Sequence, residues 1–196
     1  MKKKIQAFTL LEAMVIVAII GLLTAYGIPM LNSITTNTGL TTTNNDLVSA
    51  LQYARSSSIR LQGRVVVCTS NNSDTATPTC GDVTVPWTDG WLIFHDRNNS
   101  ADYEGADVLL RTRPQIETNN LTITPVPLAG TPTNIVNFVS FNSPAGEPML
   151  QDMTNQSGIF RICAANDTER IRGVIVNVSG RVSSTRDTSV IGSSCP

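Results

Sequence analysis

A single carboxylate, Glu12, stands at the start of an apolar stretch that then runs uncharged through the sixteen residues Ala13–Ile28. An ionised group is costly in apolar surroundings, so its retention there marks function rather than packing. Three further groups have side chains that could do chemistry. Cys68, Cys80, Cys163 and Cys195 could form disulfides or hold a metal. Asp96, Asn98, Ser100, Asp102, Glu104 and Asp107 fall at positions 1, 3, 5, 7, 9 and 12 of a twelve-residue stretch, the oxygen spacing of an EF-hand calcium loop. Arg170, Arg172, Arg181 and Arg186 gather near the C-terminus, where guanidinium groups could contact phosphates.

Each group also has a plainer reading. Position 6 of the acidic stretch is Ala101, where a calcium loop turns on glycine, and strands rather than helices are expected on either side. A solvated turn is the preferred reading. The cysteines show no C-x-x-C spacing and the chain has one histidine, which disfavours zinc and leaves structural disulfides. Three pairings are open. Cys68–Cys80, closing an Asn/Thr-rich loop, and Cys163–Cys195, tying the tail to a strand, are favoured. His95 lies beside Asp96 without a Ser or Cys nucleophile motif and reads as structural. Trp87 and Trp91 read as aromatic packing of one loop. The arginines could equally form a solvated strand face or a contact with another subunit.

The elements that must position these groups follow from composition and period. The chain has 14 Lys+Arg, 15 Asp+Glu and a net charge of −1, with 15% charged residues against about 25% in typical soluble domains. Ser, Thr and Asn take the place of the missing charges. No enzyme and no cofactor are expected from such a chain. All three lysines, Lys2, Lys3 and Lys4, precede the apolar stretch, which with its flanks is about long enough (~20 residues) to span a bilayer. Their placement predicts an N-in orientation, which puts the cysteines in an oxidising compartment. Gly21 and Ala25 form a small-x-x-x-small face suited to helix packing. Leu40, Leu47, Leu51, Ala54, Ser58 and Leu61 then recur at helical spacing, so one helix is expected from Phe8 to about Gln62, stopped by Gly63. From Arg64 the period becomes two, with strands expected at 64–69, 91–95, 108–113, 121–124, 135–141, 159–164 and 173–178. The fold class is α+β, a long N-terminal helix packed on an antiparallel sheet domain.

Gln6-Ala7-Phe8-Thr9-Leu10-Leu11-Glu12 resembles the class III leader of type IV pilins and type II secretion pseudopilins. The resemblance implies cleavage by a prepilin peptidase between Ala7 and Phe8, N-methylation of Phe8, and a filament-registering role for Glu12. Ala7 replaces the usual glycine. Pro29 falls where pilins often carry a helix-kinking proline. In the globular part, Leu51-Gln52-Tyr53-Ala54-Arg55-Ser56, Trp87-Thr88-Asp89-Gly90-Trp91 and Ser179-Gly180-Arg181-Val182 resemble segments of the GspH/FimT group of minor pilins. The implied organisation is a leader over 1–7, a transmembrane or filament-core half-helix over 8–31, an amphipathic half over 32–63 and a β-rich domain over 64–196.

The implied function is a minor pilin that primes type IV pilus assembly at or near the tip, serving twitching motility and adhesion. The alternatives are a minor pseudopilin of type II secretion and a DNA-binding pilin for transformation. In the DNA-binding pilins a Gly-Arg-x-Arg motif touches phosphates. This chain has Gly180-Arg181-Val182-Ser183, so the second arginine is missing and Arg186 is its candidate substitute. The implied partners are other minor pilins, the major pilin, the inner-membrane assembly platform, the peptidase and inner-membrane lipid. The implied location is the inner membrane, globular domain in the periplasm, and then the pilus or pseudopilus.

Overall fold

The computed structural model describes residues 9–116, 121–128, 135–150, 152, 154–164, 167–192 and 195, with the side chains of 26–33 and 167–169 left aside. Helix α1 spans Leu10–Leu61. The chain divides into two units, Met1–Thr38 and Gly39–Pro196, with the division inside α1. Gly39 and the threonines around it do not interrupt the helix.

In the second unit the amphipathic period meets its partner. Leu40, Leu47, Leu51 and Ala54 are fully buried. They share one core with Val65, Val67, Ile93, Val139, Phe141, Phe160, Ile162, Val174 and Val176 from the strands. Burying a leucine side chain contributes roughly 1.5–3 kcal/mol, so this stripe holds α1 on the sheets. At its C-terminus the Gly63 N–H bonds Ser58 O (3.2 Å) and the Gln62 N–H bonds Ile59 O, the paired closure of a Schellman motif. Gln62, not glycine, takes the left-handed conformation (φ 51°). Gly63 is needed for another reason: a Cβ there would collide with the His95 ring.

Among the described residues nine strands form two antiparallel sheets. The first has the order β3-β2-β1-β5-β6, from β1 (Arg64–Thr69), β2 (Trp91–Asp96), β3 (Val108–Arg113), β5 (Phe138–Asn142) and β6 (Glu147–Pro148). The second has the order β4-β7-β8-β9, from β4 (Leu121–Val126), β7 (Gly158–Ala164), β8 (Asp167–Val176) and β9 (Val182–Thr185). A four-residue helix, α2 (Thr188–Ile191), follows. Every residue of β1 is buried, because both of its faces are covered. Val65 and Val67 join the α1-facing core, while Val66 and Cys68 pack with Leu92, Phe94 and Tyr103 on the other side.

The α+β class is as expected, with three local differences. β5 begins at Phe138 rather than Ile135. Val136 O instead accepts from Trp87 Nε1 (2.8 Å) and Asn137 O from the Thr69 N–H (2.8 Å). β8 starts at Asp167 and ends at Val176, so the expected strand over 173–178 begins too late and runs into the turn closed by Gly180. β6, β9 and α2 were not expected.

Candidate functional site

Ala7 and Phe8 lie outside the described residues. α1 opens on Thr9, whose Oγ1 accepts from the Glu12 N–H (3.3 Å) while its carbonyl accepts from the Ala13 N–H (3.2 Å). Thr9-x-x-Glu12 has the capping-box spacing, and the carboxylate sits in the first turn, where the helix dipole favours it. From Leu10 through Leu23 every large apolar side chain is exposed, from 41% at Ile16 to 78% at Leu10. These residues point in all directions around the helix, so no face is left for water. Thr24 returns its hydroxyl to Ile20 O and Gly21 O, and a Cβ at Gly21 would meet nothing. The backbone at Pro29 is helical. Among the described residues no helix is long and apolar enough to cross a membrane.

In the second unit the segment around Arg55 is a clamp. Arg55 Nη2 donates to Ser179 O (3.1 Å), across 124 residues of sequence. Gly146 and Gly180 both have positive φ, 68° and 74°. A Cβ on Gly180 would strike Gly146 O, and one on Gly146 would strike Arg55. Two turns therefore pack backbone to backbone over one arginine of α1, which explains both glycines.

Arg64 and Asp96 form a buried ion pair (3.6 Å, side chains 3% and 0% exposed). Arg64 also donates to Asn99 O and Ser140 Oγ, both at 3.2 Å. Burial pushes the Arg64 guanidinium below its ordinary value, with Asp96 opposing. The sequence reading missed this pair; its only trace was a charged residue at each end of two apolar strands.

Several polar side chains of the candidate calcium loop bond within the loop. Asp96 Oδ2 accepts from the Ala101 N–H, Asn98 Oδ1 from the Ser100 N–H, and the Ser100 hydroxyl donates to Asp102 O. Asp107 accepts from the Arg97 and Glu104 N–H groups. No group of three metal-ligating side chains occurs among the described residues. Asp96, Asn98, Ser100 and Asp107 thus hold a hydrogen-bonded turn between β2 and β3.

Cys68 is joined to Cys80 (Cα–Cα 5.6 Å) and Cys163 to Cys195 (5.9 Å). The second bridge packs with Ile171 and Ile191, outside the main core. Trp87 lies edge-on to Phe160, centroids 4.8 Å apart, and Trp91 is buried. Neither is placed to stack a ligand.

The four arginines do not form one patch. Arg172 is buried and its Nη2 donates to Thr41 Oγ1 of α1 (3.3 Å). It is a packing residue, which corrects its place in a phosphate-contacting set. The cause is register: Arg172 pairs with core-facing Ile162. Arg170, Arg181 and Arg186 are exposed. Arg181 and Arg186 flank the two ends of β9, about 16 Å apart along an extended chain.

An N-terminal helix exposing apolar residues all round, carried by a disulfide-bonded domain of helix on antiparallel sheets, defines a pilin-like subunit. The chain belongs to the family described as type II transport protein GspH, whose model matches residues 43–180. The prokaryotic N-terminal methylation motif matches residues 2–27. Two crystal forms of the type IV minor pilin FimU of Pseudomonas aeruginosa (strain PAO1) share the fold. The form in space group P21 has a TM-score of 0.56 at 18% identity, over 83% of this chain and 99% of that one. The form in P65 gives 0.53 at 18%, over 80% and 100%. No curated protein is significantly similar in sequence. The chain is thus a GspH-family protein with an N-terminal methylation motif, from a family of structural pilin and pseudopilin subunits, and it has the fold of a type IV minor pilin.

Proposed function

We propose that this chain is a minor pilin that primes type IV pilus assembly and sits at or near the pilus tip. The observation that carries the proposal is the all-round exposure of apolar side chains from Leu10 to Leu23, entered by one carboxylate. Such a helix requires an apolar environment from outside the chain. Inner-membrane lipid supplies it before assembly, with residues 8–31 as the anchor and the globular domain in the periplasm. The helices of other minor pilins and the major pilin supply it afterwards, on the inner-membrane assembly platform. Cleavage between Ala7 and Phe8 frees the Phe8 amine. That amine on a neighbouring subunit is the counter-charge for Glu12. Pro29 removes one intrahelical hydrogen bond.

Co-expression with a prepilin peptidase tests the reading: intact mass should show a methylated chain beginning at Phe8. A retained leader, or cleavage after the apolar run, removes it. Glu12→Ala should keep membrane insertion and lose incorporation into sheared pili; wild-type incorporation would defeat the role given to the carboxylate.

The match to GspH over residues 43–180 supports a second reading, a minor pseudopilin of type II secretion. Deletion separates the two, since normal piliation with failed protein export selects the pseudopilin. The exposure of Arg181 and Arg186 supports DNA contact through phosphates as a further role. Binding would be sequence-independent and steeply weakened by salt, and lost in the Arg181→Ala/Arg186→Ala double variant. Absence of a gel shift at low salt rejects it.

A further inference from the structure

We propose that the cleft between the β2–β3 turn and residues 142–150, with Asp152, binds a neutral, hydroxyl-rich ligand, a short oligosaccharide. The cleft has two lobes of about 360 Å³ and about 450 Å³ that share Leu150, each within the usual size of small-molecule sites. One lobe is lined by Asn99, Asn142 and Ser143 with Arg64 beneath, the other by Ser100, Asp102 and Asp152.

Charge narrows the ligand class. Arg64 is answered by Asp96 at 3.6 Å, and the second lobe carries two carboxylates. Hydrogen bonds from Thr154 hold the Asp152 carboxyl below its ordinary value, so it is charged at neutral pH. Phosphates, nucleic acids and carboxylates are therefore disfavoured. Backbone pairing removes strand addition: the Met149 N–H bonds Ser140 O, the Leu150 N–H bonds Thr154 O, and β5 is paired on both sides. What is left is side-chain recognition. Amides and hydroxyls both donate and accept, and a carboxylate can accept from two neighbouring hydroxyls at once, which suits a vicinal diol. Phe138, Met149 and Leu150 supply apolar surface for the C–H faces of a sugar ring. An apolar ligand would strand the amides without partners.

Two observations mark the wall as more than a loop surface. Asn99 and Ala101 have φ of 61° and 67°. For alanine this conformation is unfavourable and persists only where its surroundings impose it, here the bond from the Ala101 N–H to Asp96 Oδ2 (3.0 Å). In addition, Arg64, which lines the first lobe, has its Nε buried without a hydrogen-bond partner. A polar occupant of the cleft, or water it orders, can fill that capacity.

Saturation-transfer NMR on the full chain, in zwitterionic micelles free of sugar headgroups, tests the site. The probes are maltotriose and chitotriose, with spermidine and inorganic phosphate as comparison arms. At least one sugar should receive saturation from the protein. Asn142→Ala and Asp152→Asn should each weaken that binding by roughly tenfold, the loss expected for one to two hydrogen bonds. Asp152 is exposed, so its variant should keep the wild-type melting temperature and remains informative if Asn142→Ala does not fold. The proposal is overturned if neither sugar binds, if both variants bind as wild type, or if spermidine or phosphate displaces a bound sugar at a lower concentration than the free sugar does.

Discussion

The chain before Thr38 and the chain after Gly39 use the same helix in opposite ways. From Leu10 to Leu23 every large apolar side chain is exposed, and the one charge is an acid in the first turn. From Leu40 to Ala54 the apolar residues are fully buried, and further on even an arginine and an aspartate are taken out of water as a pair. Helical propensity does not separate these segments; the completeness of the apolar surround does. A single apolar stripe can be covered by the sheets of the same chain, whereas a surface apolar on all sides can be covered only by something else.

That contrast predicts where mutations register. The largest effect is expected at Asp96. Replacing it with Ala leaves Arg64 buried without its counter-charge and should destabilise the domain by about 3–5 kcal/mol in denaturant unfolding. A loss below 1 kcal/mol would mean that Arg64 escapes to water. Leu51→Ala comes next, at about 2–5 kcal/mol for a fully buried leucine, while Leu22→Ala should leave the same unfolding curve unchanged and act only on assembly. Equal effects of the two leucine variants on stability would erase the distinction between the segments. The smallest effect is at Asp187, which caps α2 by accepting from the Ser189 N–H (2.9 Å) and hydroxyl (2.7 Å). Those bonds lower its pKa, so its contribution is complete above the unfolded value of about 3.9 and is lost as pH falls through the lower folded value. The melting-temperature gap between wild type and Asp187→Ala should therefore shrink on acidification below about pH 4. A gap that widens there would reverse the sign.

Most of the scaffold was legible in the sequence because it rests on local patterns. Val65 to Cys68 read as a strand, and the leucines of α1 read as a stripe, since each needs only its neighbours' period. What escaped depends on partners far away. β9 is Val-Ser-Ser-Thr, with a single core residue, Val182, and exists because β8 offers it an edge. Residues 135–137 look like strand but are claimed by Trp87 and Thr69. Of the candidate site residues, Glu12 was legible as a charge in an apolar context, although its capping-box partner Thr9 went unused. Arg172 was misplaced because exposure was inferred from charge, and only register with Ile162 reveals its burial. The Arg64–Asp96 pair joins residues on neighbouring strands, a relation that spacing along the chain does not encode.

The clamp at Arg55 has a consequence for how such chains can vary. Because Gly146 and Gly180 meet through their backbones over one guanidinium, the turn before β6 and the turn before β9 cannot drift separately. An insertion in either would pry the other off α1, and a side chain at either glycine would do the same. Change is then channelled elsewhere, toward the stretch bounded by Cys68 and Cys80, where Asp74, Thr75, Ala76 and Thr77 are all exposed and the bridge fences off the rest of the domain. Divergence among related subunits should accumulate in that enclosure while the paired turns keep their length.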